Sequence, residues 1–326
     1  MQGFKDCEMK DAIGKDNIKI GDFIIVEANS DKGFNFGYVV FVPNEIDRDT
    51  TLIVEGANTG KSLEDIRAAN KDVLDSSTEV HLPIYYIASE TNMPILTPLF
   101  PRVRLNNKTY YTHMLTSDVL KMEDEKFIRL DNQLIAMFED VKDRFEKSDI
   151  NIQEKFVING FSASGKFANR FTILHPDKVC LCVGGGVSGC LTLPIRQING
   201  EQLLYPVGIG NIKEFTDEQY ESFLNVRQFY YMGLEDDNDP YSPSDKDPNQ
   251  TKHEDIISIE EMKQLHKFLG LDMTTTRWET TQKYYKEIGV NAEFESYEGF
   301  GHRPHPATKK ITTLLKEVNK NNKHIV

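Results

Sequence analysis

Ser162, Asp236 and His302 are the residue types that make an alcohol nucleophilic, and each stands just past a short apolar run. A serine attacks a carbonyl only when a base takes its proton and an acid orients that base. Ser162 lies in Gly160-Phe161-Ser162-Ala163-Ser164-Gly165, between the apolar run ending at Asn159 and a helical pattern. A serine on so sharp a strand-to-helix turn has a strained backbone and an exposed hydroxyl. Its neighbours must be small because strand and helix pass close together, and Gly160, Ser164 and Gly165 meet that need. The helix N-terminus offers free N–H groups to a developing oxyanion. The pattern is G-x-S-x-G with Ser164 at the last glycine position and Gly165 next.

The run Phe229–Met232 ends in Gly233-Leu234-Glu235-Asp236, and Phe294–Tyr297 ends in Glu298-Gly299-Phe300-Gly301-His302. Open parallel sheets place their sites at such carboxyl ends. Glu235, Asp237 and Asp239 compete with Asp236 as the acid, and His305 competes with His302 as the base. The Gly301-His302 step and its nearness to the strand favour His302. His113, after the run Pro94–Phe100, is a further residue able to line a cleft, although a packing role is the simpler expectation.

The elements that must hold these residues are short β-rich runs alternating with helical patterns. Strands are expected at Phe23–Ala28, Gly37–Pro43, Thr51–Val54, Pro94–Phe100, Lys155–Asn159, Val179–Val183, Phe229–Met232 and Phe294–Tyr297. Helices are expected from Ser62 to about Asp75, over Phe127–Phe145 and over Ala307–Asn319. The second carries Phe127, Leu130, Leu134, Phe138, Val141 and Phe145 on one face. Such alternation predicts an α/β chain, 1–326 as a single domain, with a mostly parallel sheet covered on both faces. The short link between the first two strands predicts an antiparallel hairpin.

Residues 187–226 break the rhythm and read as an excursion with a short helix at Phe215–Phe223, a candidate lid. Its Leu191, Leu193, Leu203, Leu204 and Tyr205 either line an acyl or aromatic pocket or pack the excursion onto the body. Asp236–Glu254 reads as a solvated polar loop.

With serine, acid and histidine in this order and in these Gly-x-x-Asp and Gly-His contexts, the chain resembles the α/β-hydrolase superfamily from about residue 20 to 320. It looks most like the esterase, lipase and polyester-depolymerase members. The resemblance implies the α/β-hydrolase fold, with Ser162 as nucleophile, His302 as general base and then acid, and Asp236 orienting the histidine. It implies an oxyanion hole made by the backbone N–H of Ala163 and a second N–H from the loop Gly56-Ala57-Asn58, either Ala57 or Asn58. The implied activity is hydrolysis of a carboxylic ester or thioester, with no cofactor or metal. Acyl transfer and peptide cleavage use the same three groups. A binding protein on this fold would be expected to have a broken set.

Thirty-eight Lys and Arg against 51 Asp and Glu leave a net charge of −13, which argues against a nucleic-acid partner. It also modestly disfavours anionic polymers as substrates. No cluster of basic residues stands out. No apolar run is long enough to span a membrane, and no secretory signal opens the sequence. Cys180 and Cys182 alternate with Leu181, so both are expected on one strand face. With Cys7 and Cys190 they read as buried thiols of a reducing, cytoplasmic compartment.

Two patterns mislead. Gly56-Ala-Asn-Thr-Gly60-Lys61-Ser62 suggests a phosphate loop, but three residues separate its glycines where four are needed, and Glu55 stands at the first glycine position. Asp236-Asp-Asn-Asp239 with Asp245 and Asp247 lacks the glycine and closing glutamate of a calcium loop.

Overall fold

The computed structural model describes residues 21–322 apart from 59, 79–82, 106–107, 214 and 244–255. Cys7, the first residues, and Asp245 and Asp247 lie outside the described residues.

Eight strands form the central sheet: β1 (Gly21–Val26), β2 (Tyr38–Pro43), β3 (Ile53–Glu55), β4 (Ile95–Pro98), β5 (Phe156–Phe161), β6 (Val179–Gly185), β7 (Arg227–Gly233) and β8 (Ala292–Tyr297). Their order across the sheet is β1-β2-β4-β3-β5-β6-β7-β8. β1 pairs antiparallel with β2, and β2 with β4, while the remaining five pairings are parallel. Every residue of β2, β3 and β4 is buried, as expected of strands covered on both faces.

The main helices are α1 (Ile66–Ser77), α2 (Pro83–Thr91), α3 (Leu130–Glu146), α4 (Ala163–Leu174), α5 (Asp217–Asn225), α6 (Ile259–Leu269), α7 (Trp278–Ile288) and α8 (Thr308–Asn322). α3, α4, α6 and α7 share one core cluster through Leu134, Phe138, Phe167, Phe171, Leu265 and Trp278. α2 and α8 join a second through Ile84, Tyr85, Ile311, Leu314 and Leu315. The helices of these clusters pack on the sheet, and the loops leaving its strand ends carry the candidate site.

Three findings differ from the sequence reading. α2, α6 and α7 are additional helices. The signal for α6 is present in Ser258-Ile-Glu-Glu261, whose first and last side chains cap each other's backbone. Cys180 and Cys182 do not share a face: Cys182 packs in the α3/α4 cluster and Cys180 against the α2/α8 cluster. A register shift between Val179 and Leu181 inserts one residue, and that slip reverses the alternation. The segment after β7 is not a solvated loop where it is described, since Asp236 and Tyr241 are buried and Asp239 pairs with Arg277.

The excursion at 187–226 forms a two-residue-strand hairpin and α5. Its Leu191, Leu193 and Leu203 lie in the main core cluster, and Tyr205 is buried with its hydroxyl donating to the Leu115 carbonyl. Among the described residues, no helix is long and apolar enough to cross a membrane.

Candidate active site

β5 reaches α4 through Ser162, whose φ of 63° and ψ of −123° are strained for any residue with a side chain. The turn is held from both sides. Ser162 N–H donates to the Gly185 carbonyl of β6 at 2.8 Å, and Ser162 O accepts from Lys166 N–H at 3.2 Å. A Cβ on Gly160 would stand 2.3 Å from the Ser164 carbonyl oxygen, so only glycine allows the helix to cross there. Ser164 is no imperfect glycine. Its hydroxyl accepts from Phe161 N–H and donates to Phe161 O, each at 2.9 Å, closing the turn under the reactive residue.

Strain of this kind costs about 1–3 kcal/mol. Ser162→Gly is therefore expected to raise the unfolding free energy by about 1 kcal/mol, read from urea midpoints at constant slope. A fall in the midpoint would mean that the turn is not strained at this residue.

The loops after β7 and β8 are knit together. Leu234 N–H donates to the Tyr297 carbonyl at 2.9 Å and Glu235 N–H to Phe300 at 3.0 Å. A Cβ on Gly233 would lie 2.1 Å from Phe300 O, so the glycine is what lets the loops touch. This contact brings Asp236 Oδ2 to 2.8 Å from His302 Nδ1. The other oxygen, Oδ1, accepts from Asn238 N–H at 2.9 Å. Asp236 is buried while Glu235 and Asp237 are exposed, and Asp239 is engaged by Arg277 at 2.9 Å. His305 is exposed, at the start of a short 3-10 turn.

The His302 ring lies against Phe161, with centroids 4.6 Å apart. A Cβ on Gly186 would be 3.0 Å from His302 Cε1, and Gly186 follows the residue that holds Ser162 N–H. The paired Asp236 and His302 thus stand against Phe161, the residue that precedes Ser162.

The loop after β3 forms the other wall. Gly56 N–H donates to Asn159 O at 3.0 Å, Ala57 is buried, and the Asn58 amide donates to Phe161 O at 2.9 Å. A cavity of about 150 Å³ opens on Ser162 and Ala163 and is bounded by Asn58, His113 and Met114 among others. His113 therefore does line the space beside Ser162. It is buried with a φ of 59°, and its Nδ1 has no hydrogen-bond partner among the described residues. Burial, helped by the Arg102 charge, pulls its pKa down to about 4, so the ring is neutral at physiological pH.

Glu55, the residue that spoiled the phosphate-loop pattern, ends β3 opposite Asn159 and accepts its side-chain amide. Burial pushes its pKa up to about 8 against that hydrogen bond. The glycine loop itself opens no helix at Ser62: Lys61 N–H donates to Asp72, and α1 starts only at Ile66.

Between the ordinary glutamate pKa and about 8 the folded chain holds a proton on Glu55 that the unfolded chain has released. Stability from this residue therefore falls as pH rises through that window, by at most about 1.4 kcal/mol per pH unit. Glu55→Gln is expected to flatten this loss, gaining on wild type between pH 5.5 and 7.5 in urea unfolding. Parallel pH profiles of the two proteins would show that Glu55 is ionised in the fold.

Among the described residues, no cluster of three or more His, Cys, Asp or Glu is arranged to hold a metal ion. No protein-family model matches the sequence, and no curated protein matches it. Solved structures do share its architecture. One is the poly(aspartic acid) hydrolase-1 of Sphingomonas sp. KT-1, 16% identical, with a TM-score of 0.58 over 90% of this chain and 98% of that one. Another is LpqC, a poly(3-hydroxybutyrate) depolymerase of Bordetella parapertussis, 13% identical, with a TM-score of 0.56 over 98% of both chains.

Proposed function

This chain has the α/β-hydrolase fold, and on that premise we propose that it is a serine hydrolase cleaving a carboxylic ester or thioester through an acyl-enzyme on Ser162. The observation that carries this reading is the 2.8 Å hydrogen bond between His302 and the buried Asp236. A carboxylate buried against one ring nitrogen leaves the other free to act on an alcohol.

In the proposed reaction Ser162 Oγ adds to the substrate carbonyl carbon as His302 Nε2 takes its proton. Asp236 keeps the Nδ1–H tautomer and stabilises the imidazolium. The N–H groups of Ala163 and Ala57 receive the oxyanion, with the Asn58 backbone as the alternative second donor. The tetrahedral adduct collapses as His302 returns the proton to the leaving oxygen or sulfur. Water, deprotonated by the same ring, then releases the acid and restores Ser162. The fold alone does not dictate this chemistry; the His302–Asp236 pair beside a strained serine supports it.

The test is labelling with a fluorophosphonate probe followed by peptide mass spectrometry. The label is expected on Ser162 and on no residue of Ser162→Ala. Folded wild type that takes no label from even a small probe would overturn the reading.

A further inference from the structure

Among the described residues, the polar wall of the cavity beside Ser162 carries cations that no lining carboxylate matches. Lys166, one turn along α4 from Ser162, lines it, and Arg102 enters from the segment after β4. Lys166 is 4% exposed. Its ammonium donates to Ser188 Oγ at 2.8 Å and lies 4.3 Å from the centre of the Tyr241 ring. Arg170 and Arg277 pack behind the same ring, 4% and 0% exposed. Arg277 takes Asp239 with both of its terminal nitrogens, at 2.9 and 3.2 Å. Among the described residues, Arg170 reaches only the Leu115 carbonyl at 3.3 Å and the Tyr241 hydroxyl at 3.4 Å. Arg102 Nε is buried without a hydrogen-bond partner among the described residues. Among the described residues, then, Lys166, Arg170 and Arg102 form no salt bridge, and Asp239 is the one carboxylate paired within this group.

Buried cations lacking an anion are costly, and pairing removes much of that cost. Burial draws the Lys166 pKa down to about 8, with Arg170 and Arg277 adding to the fall and Cys190 and Asp239 opposing it. Neutral His113 adds no charge of its own. Nothing in the proposed chemistry at Ser162 calls for these cations, and an apolar acyl chain would leave them unpaired. The guanidinium of Arg102, a residue lining this cavity, suits a carboxylate.

From this juxtaposition of Arg102 and Lys166 with Ser162 in one cavity, we infer that the cavity binds a carboxylate on the acyl part of the substrate. The preferred ester is then a half-ester of a short dicarboxylic acid. The inference rests on the hydrolase reading above and narrows it to a substrate class. It concerns one local anion site, which the net charge of −13 does not oppose.

The test compares monomethyl glutarate with methyl valerate, which matches it in chain length but lacks the second carboxylate. Wild type is expected to favour the glutarate ester at least about 10-fold in kcat/KM, because rejecting the neutral analogue follows from unpaired buried groups. In Arg102→Gln that ratio is expected to collapse towards one, with the change carried mainly by KM. Arg102 is only partly buried, so this variant should fold.

Methyl valerate turnover with a ratio near one in wild type, or a ratio unmoved by Arg102→Gln, overturns the carboxylate site and leaves the hydrolase reading standing. If Ser162 takes no label and neither ester turns over, the hydrolase reading fails. Calorimetry with glutarate on Ser162→Ala then decides the site alone: saturable binding lost in the Arg102→Gln double variant sustains it, and no binding overturns it.

Discussion

Ser162→Ala is expected to lower kcat/KM for ester hydrolysis by roughly 10⁴–10⁶-fold, while the urea midpoint stays within about 0.5 kcal/mol of wild type. The two halves of this result have separate causes. Alanine keeps a Cβ, so the strained backbone at φ 63° is as costly as before. The contacts that hold the turn also survive, because they run through the backbone of residue 162 and the hydroxyl of Ser164. What disappears is the atom that bonds to the acyl group. Residual turnover would come from the oxyanion donors and from binding. Comparison with Ser162→Gly sharpens the point: both variants should be inactive, and only the glycine should gain stability. A Ser162→Ala protein that kept more than a few per cent of wild-type activity would place the nucleophile elsewhere.

Asp236→Asn is expected to reduce kcat about 10⁴-fold with little loss of fold. Asparagine fills the same buried volume, and its amide oxygen can still accept from Asn238 N–H as Asp236 Oδ1 does now. The defect lies on the other side. An amide NH₂ facing His302 Nδ1 selects the tautomer whose proton sits on Nε2, and that ring cannot accept from Ser162. The negative charge that would steady the imidazolium is lost as well. Fluorophosphonate labelling of Ser162 should slow in step with kcat, because both need the same deprotonation. Near-normal labelling in Asp236→Asn would reduce Asp236 to a loop-building residue. The exposed neighbours Glu235 and Asp237 offer the internal control, since their amide variants should change kcat less than about 3-fold.

Much of the arrangement is written locally. The inner strands coincide with apolar runs, because strands covered on both faces cannot be polar, whereas the edge strand β8 buries no residue fully. Ser162 is legible because a strand, a helix and three small residues must coincide for the turn to exist. Asp236 and His302 are legible because their glycines mark chain leaving a strand end.

Where the signal spans the whole sheet, local reading stops. The order β1-β2-β4-β3-β5-β6-β7-β8 depends on which crossovers pack, and no single segment encodes that. The slip at Cys180 comes from pairing with a neighbouring strand, so alternation within Val179–Val183 could not show it. Asp239 looks like one more solvated acid until Arg277, from the turn that begins α7, is folded onto it.

The sequence by itself determined the strand–helix alternation, the elbow at Ser162 and the places of Asp236 and His302 just past two strand ends. Those depend on hydrophobic period and on steric demands a few residues wide. Tertiary structure alone decided which carboxylate meets His302, which thiols share a face, and that Lys166, Arg170 and Arg277 gather around Tyr241 while Arg102 joins Lys166 in the cavity beside Ser162. In an acidic chain those four cations are scattered over 176 positions. Only folding takes them from water, where each is cheaply solvated, to a site where their charge must be answered.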